Sequence, residues 1–352
     1  MARTILLLVL LGLLLCFTAA IATPKRGQPE FSAIFYFGDS VLDTGNNNYI
    51  PTLAVANHAP YGRDFPGRRP TGRFSNGRLV PDLLNEKLQL KEFSPPFMEA
   101  KLSNSDIVTG VNFASAGSGF QDETSRLSNT LPMSTQVSLF GEYLLRLRSI
   151  VGEKEASRIV NNSLMFISSG TNDFARYYRS SKRRKMDIGE YQDAVLRTAQ
   201  HSLKELYNLG GRQFCLAGLP PFGCTPIQIT LSGDPDRACV EEQNRDAQAY
   251  NSKLEKLLPE LQGSLHGSKI VYLDAYEAFM EILDNPAKYG FTETTRGCCG
   301  TGLREVGLLC NTLTPTCRNE SSFIFYDAVH PTEKVYRKAT DYILRNAIPQ
   351  FN

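Results

Sequence analysis

Several features are scarce in this 352-residue chain, and each scarcity removes a class of function. The formal net charge is only +2, so the chain lacks the basic excess that binding to a phosphate backbone draws on, and nucleic acid is excluded as a partner. Beyond its first residues it has no apolar run long enough to cross a bilayer, which argues against stable membrane insertion. No C-x-x-C pair is present, which disfavours a zinc site, and only four histidines are available as a base. The pattern G-x-S-x-G is missing, so the nucleophile elbow of the α/β-hydrolases is ruled out. There is no internal repeat, heptad array or low-complexity linker, and one folded domain over residues 23–352 is the expectation.

What is present begins with MARTILLLVLLGLLLCFTAAIATPKR. One arginine, an apolar run from Ile5 to Phe17 and the small-residue site Ala20-Ile21-Ala22 make the pattern of a secretory signal peptide over residues 1–22. A membrane anchor is the plainer rival, but the run is short and its flank carries small residues. The end, IPQFN, shows neither a retention tetrapeptide nor a hydrophobic tail, so secretion to the cell exterior is expected. Cys16 leaves with the signal. Cys215, in QFCLAGL, reads as a buried free thiol, and the six other cysteines suit three disulfides. Cys224 and Cys239 would close one local loop, while Cys298 and Cys299 would reach Cys310 and Cys317. In a secreted chain the sequons at Asn161 and Asn319 become glycosylation candidates. The cluster Lys182-Arg183-Arg184-Lys185 reads as a solvated loop.

Short apolar runs alternate with helix-period segments, the mark of a mostly parallel sheet covered on both faces. The strand candidates are Ala33–Phe37, Val111–Ala114, Leu164–Ser168, Gln213–Ala217 and Lys269–Leu273. Helices are expected over 79–88, 135–150, 188–208, 241–261 and 332–347. The clearest, 188–208, places Ile188, Tyr191, Val195, Ala199, Leu203 and Leu206 on one stripe, with Asp187 and Glu190 as its capping pair and Gly210-Gly211 as its stop. The stretch 285–323 reads as a long loop held by the late disulfides.

Ligands bind outside the carboxyl ends of the strands of an open parallel sheet, and polar, glycine-containing segments follow the first three strand candidates. Ser40 follows the first in FYFGDSVLDTG, in a glycine-flanked turn that should hold it rigid and exposed. Gly117 follows the second in NFASAGSGF, and Asn172 follows the third in GTND. Each segment alone reads better as an ordinary turn. Together they supply a nucleophile and the donors that acyl transfer requires: the Ser40 and Gly117 backbone N–H groups and the Asn172 carboxamide, facing a developing oxyanion. The base follows by elimination. His58, in a loop rich in proline and glycine, His201, off the stripe of its helix, and His266, between Gly263 and Gly267, read as exposed surface residues. His330 precedes Pro331 at a helix start, and Asp327, one turn earlier, can orient its ring.

The ordered segments FGDSVLDTGNNNY, TGRFSNGRLVPD, GVNFASAGSGF, SSGTND, GLPPFGCTP, GCCGTG and DAVHPTEKVY resemble the plant-type GDSL esterase/lipase family of the SGNH hydrolase superfamily. The likeness runs over nearly the whole chain after the signal. It implies a flavodoxin-like, three-layer α/β/α fold with a sheet of about five strands, Ser40 as nucleophile, Gly117 and Asn172 completing the oxyanion hole, and His330 as base oriented by Asp327. It also implies hydrolysis of carboxylic esters of lipids or acylated small molecules, without metal or organic cofactor. Acyl transfer to an alcohol and a non-catalytic binding role on the same fold are the alternatives. Val41 and Tyr326 depart from the family pattern, which has leucine at the first position and often tryptophan at the second. Both changes should alter packing rather than chemistry.

Overall fold

The computed structural model describes residues 30–181 and 185–352. The N-terminal segment with Arg3, Cys16 and the cleavage site after Ala22 lies outside the described residues, as do Lys182, Arg183 and Arg184 of the basic cluster.

Strands β1 (Ile34–Gly38), β2 (Leu164–Ser168), β3 (Gln213–Ala217) and β4 (Lys269–Leu273) form one parallel sheet in the order β1-β2-β3-β4. β1 and β2 are almost wholly apolar and buried, as strands are when helices cover both faces. The expected strand at Val111–Ala114 is a partial correction. This segment does run parallel to β1, with Phe113 N–H donating to Tyr36 O at 2.8 Å and Ser115 N–H to Gly38 O at 2.9 Å, but it forms only isolated bridges, to Tyr36 and Pro96. Asn112 is the physical reason. Its Oδ1 accepts from Ala114 N–H and its Nδ2 donates to Leu42 O, so local bonds replace a regular ladder. The sheet is four regular strands and one irregular edge.

The helices of eight or more residues among those described are α1 (Val80–Lys87), α2 (Met133–Val151), α3 (Glu153–Asn161), α4 (Thr171–Arg179), α5 (Ile188–Asn208), α6 (Glu241–Ser264), α7 (Ala275–Asp284) and α8 (Glu333–Asn346). Strand side chains alternate between two cores. Phe35, Phe37, Met165, Ile167, Phe214 and Leu216 meet α2, α3, α5 and α6 on one face. Ile34, Tyr36, Phe166, Ala217, Val271 and Leu273 meet α1 and α8 on the other. The result is a three-layer α/β/α fold. α5 follows its pattern at the stripe and the stop, buried from Tyr191 onward with Ile188 half-buried, and Gly211 N–H closes the end on Leu206 O. At its start the Asp187 carboxylate accepts Gly189 N–H at 2.7 Å, but the expected pairing with Glu190 does not form, since that side chain is exposed and makes no cap bond among the described residues. α3, α4 and α7 have no counterpart among the expected helices.

The stretch 285–323 is more ordered than a loop, because β5 (Glu293–Gly297) pairs in parallel with β6 (Phe323–Phe325) in a small second sheet. Disulfides join Cys298 to Cys317 and Cys299 to Cys310, Cys224 is bonded to Cys239, and Cys215 is a buried free thiol in β3. Cys298 N–H donates to Phe325 O and Cys299 N–H to Tyr326 O, so the cross-linked pair is stitched to the segment that leads into Asp327. No helix among the described residues is long and apolar enough to cross a membrane.

Candidate active site

β1 delivers Ser40. Gly38 has φ +143°, and a side chain there would run into the Ser168 carbonyl, so only glycine lets the ends of β1 and β2 come this close. The turn beyond is braced from within: Leu42 and Asp43 donate their N–H groups to Asp39 O, and Val41 donates to Asp39 Oδ1 at 3.2 Å. From α2, Gln136 grips both polar groups of Gly38, Oε1 accepting its N–H at 2.8 Å and Nε2 donating to its carbonyl at 2.9 Å. Ser40 is rigidly held but not exposed, with 8% of its surface open. The neighbouring loops build a wall around it that a local turn motif cannot reveal.

The segment after β6 brings the partners. Asp327 Oδ1 accepts the N–H groups of Val329 and His330 at 2.8 and 2.7 Å, which ties the loop into one shape. His330 Nδ1 lies 2.7 Å from Asp327 Oδ2, and Nε2 lies 2.8 Å from Ser40 Oγ. With Nδ1 facing a carboxylate, that nitrogen carries the proton and Nε2 is left to accept from the serine hydroxyl. Phe74 covers the imidazole with ring centroids 4.7 Å apart. Ser75 Oγ–H donates to Pro331 O and Asn76 Oδ1 accepts Glu333 N–H, so the TGRFSNGR segment holds the start of α8.

Gly117 takes φ +83°, in the left-handed region, at the tip of the loop after the irregular edge. Asp43 Oδ2 accepts Ala116 N–H at 2.9 Å, and Asn47 Nδ2 donates to Ala116 O at 2.9 Å. Asn46 Nδ2 spans Asn112 O and Ala114 O. Asn172, in the first turn of α4, donates from Nδ2 to Ser118 O at 2.8 Å, leaving its second amide hydrogen free. The Ser40 and Gly117 N–H groups have no protein acceptor among the described residues. Gly117 and Asn172 line one hollow together with Ser40, whose hydroxyl is hydrogen-bonded to the His330 imidazole.

With that arrangement in view, comparison with known proteins is decisive. The GDSL-like lipase/acylhydrolase model matches residues 34–343. The chain belongs to this family. Three GDSL esterase/lipases of Arabidopsis thaliana are similar along most of their length: one is 50% identical over 88% of this chain and 88% of its own, and two others are 48% and 47% identical over 91% and 90%. Membership makes this GDSL protein a hydrolase of ester bonds, with esters as its substrates.

The GDSL site carries three carboxyls besides Asp327. Burial pushes Asp39 up to about 7, against the opposing Val41 N–H. Burial likewise raises Asp43 and Asp173 to about 6, although each accepts several hydrogen bonds. Asp173 is a brace, its two oxygens taking Phe120 N–H at 2.8 Å and Thr124 Oγ1–H at 2.5 Å. Tyr61 is a residue the sequence reading missed. Its Oη donates to Asp327 Oδ2 at 2.6 Å and accepts Gly307 N–H at 2.8 Å, which joins the loop closed by Cys299–Cys310 to the carboxylate behind His330. Burial, then the Asp327 charge, holds its phenol well above the ordinary range, so it remains a donor. Asp43, Asn46 and Asn47 lie inside FGDSVLDTGNNNY, whose pattern assigns them no role, whereas Tyr61 and Gln136 carry no local signal at all. His201 and His266 are exposed, but His58 is half-buried with its ring edge-on to Tyr61, a correction that follows from the packing of this loop on the site. Val41 packs at the edge of the α8-side core, and Tyr326 is buried beside Tyr61 with its hydroxyl on Pro60 O. Asn161 and Asn319 are both exposed.

Two hollows meet at Ser40. One is apolar and runs between the sheet, α7 and α8, lined by residues such as Phe166, Leu273, Phe279 and Ala339. The other is an open mouth lined by Gly117, Asn172, Leu308, Leu309 and His330.

Proposed function

We propose that the protein is a secreted serine esterase or lipase, a single hydrolase domain after signal removal, acting through an acyl-enzyme on Ser40. The observation that supports this reading most is the continuous chain Ser40 Oγ, His330 Nε2, His330 Nδ1, Asp327. In the proposed cycle, His330 takes the Ser40 proton as Oγ bonds to the ester carbonyl carbon. The resulting oxyanion faces the Ser40 and Gly117 N–H groups and the free Asn172 amide hydrogen. Collapse breaks the bond to the alcohol, which leaves with the proton from Nε2. Water then attacks the acyl-enzyme, His330 accepts its proton, and the carboxylic acid departs as the proton returns to Oγ. Asp327 keeps the imidazole in the reactive tautomer and stabilises the imidazolium. Besides the ester and water, every group in the proposed cycle is a side chain or a backbone amide of this chain.

Three disulfides fit an oxidising compartment and support secretion, and glycans at the exposed Asn161 and Asn319 belong to the same proposal. A fluorophosphonate probe should label the purified protein at Ser40, and Ser40→Ala should lose the label together with about 10⁴-fold or more of its turnover of p-nitrophenyl acetate. Equal turnover in the two proteins would overturn the serine mechanism.

A further inference from the structure

α7 is an apolar helix that is mostly only half-buried. Ala275, Ala278, Phe279 and Ile282 recur at helical spacing on one stripe, yet only Ile282 is fully buried. Across from them α8 presents Val335, Ala339 and Ile343 on a stripe of its own, and the sheet contributes Phe166, Ala217 and Leu273. Between these surfaces lies the apolar hollow, which opens onto Ser40, Val41 and Asp39. Alanines at 217, 278 and 339 stand where larger side chains would close the layer, so the space follows from residue size. An apolar stripe left partly open inside a folded layer is stabilised when an apolar ligand covers it.

The two hollows are not equivalent in the reaction. His330 lines the open mouth and does not line the apolar hollow. The departing alcohol must collect its proton from Nε2, so it leaves on the His330 side. The other substituent of the tetrahedral carbon, the acyl chain, then points to the side where Leu42, Val80 and Val335 wait. The stripe from Val335 to Ile343 rises about 12 Å at 1.5 Å per residue, and an extended chain advances about 1.2 Å per bond, so about ten bonds of acyl chain fit along α8.

We infer that the hollow between the sheet, α7 and α8 is the acyl-chain subsite, and that the preferred substrates are esters of unbranched aliphatic acids of about eight to ten carbons, with the alcohol held in the open mouth. This rests on the esterase reading above. Ala278 and Ala339 set the width of the subsite, and Ile343 stands at its far end. It follows that kcat/KM rises with each methylene added to the acyl chain, by up to about fourfold per carbon, until the chain reaches Ile343.

The test is a series of p-nitrophenyl esters, from acetate to palmitate, on the purified protein and three variants. Wild type should favour octanoate or decanoate over acetate by at least a hundredfold. Ala339→Phe and, independently, Ala278→Phe should lower the octanoate-to-acetate ratio at least tenfold. Ile343→Ala removes bulk instead of adding it and so keeps the test open if the larger side chains prevent folding; it should move the optimum two or three carbons longer. Measurable acetate turnover with an octanoate ratio unaltered in every folded variant would overturn the subsite. No ester turnover and no fluorophosphonate label in wild type would instead overturn the esterase reading beneath it.

Discussion

The two faces of the sheet are built from the same alternating strands and come to serve opposite ends. Toward α2, α3, α5 and α6 the layer is filled by interlocking rings: Phe35 lies edge-on to Phe140 and Tyr143 with centroids 5.0 Å apart, and Phe37 stacks on Phe113 at 5.1 Å. Toward α7 and α8 the facing residues include Ala217, Ala278 and Ala339, and a hollow reaches the nucleophile candidate. A close-packed layer contributes stability through every contact it makes. An unfilled layer forgoes those contacts and gains a place for a ligand. The filled face carries the close packing and the other face the open space beside Ser40, with the sheet as the partition between them.

The sharpest break of this comparison would come from core truncation. Phe140→Ala should lower unfolding free energy by about 3–5 kcal/mol in urea titration, since it removes a buried ring from the filled face. Ile343→Ala should cost no more than about 2 kcal/mol, because the space beside it is already open and little new cavity forms. Equal costs would dissolve the distinction. Asn172→Ala should lower kcat by about 10²–10³ and leave the urea midpoint nearly unchanged, as expected for a group that acts on the transition state. A parallel loss of stability would recast Asn172 as a tether for Ser118. Tyr61→Phe should lower kcat about tenfold with little change in KM, because the Asp327 carboxylate loses one donor and the Gly307 N–H loses its acceptor. An unchanged kcat would limit Tyr61 to packing.

The smallest effect concerns pH. Asp39 has an ordinary value of 3.8 when unfolded, and burial raises it to about 7 in the folded protein. Between these values the native state keeps a proton that the unfolded chain has released. Its contribution is therefore full below about pH 4 and is lost as pH rises toward 7. Wild type should lose stability relative to Asp39→Asn across that window and run parallel to it above. A difference independent of pH would show that Asp39 is ionised throughout.

Much of this was legible along the chain, for a physical reason. Leu164–Ser168, Gln213–Ala217 and Lys269–Leu273 are short apolar runs between turn residues, and the strands have those same limits. The helix from Ile188 carries its own cap, stripe and stop, all local signals. Ser40, Gly117, Asn172, Asp327 and His330 were candidates because each lies at a strand end or a helix start, where the sheet gathers side chains at one edge. Less legible were features whose partners lie far off in sequence. Gln136 meets Gly38 from ninety-eight positions away and Tyr61 meets Asp327 from 266. The irregular edge at Asn112, the pairing of β5 with β6, and the half-buried His58 likewise depend on neighbours that no window of sequence contains. α3, α4 and α7 were not legible because helices of 9, 9 and 10 residues show few repeats of an apolar stripe.

By itself, the sequence determined the types of element, the alternation that sends strand side chains to two faces, and the chemical groups available at the strand ends. These depend on spacing over a few residues, on backbone preference and on side-chain functional groups. Only the tertiary structure decided that Ser40 is buried rather than exposed, that two N–H groups beside it find no acceptor among the described residues, and that one face is filled while the other stays open beside the nucleophile candidate. Those outcomes depend on volumes and hydrogen bonds summed over segments far apart in the chain, and such sums exist only once the chain has folded.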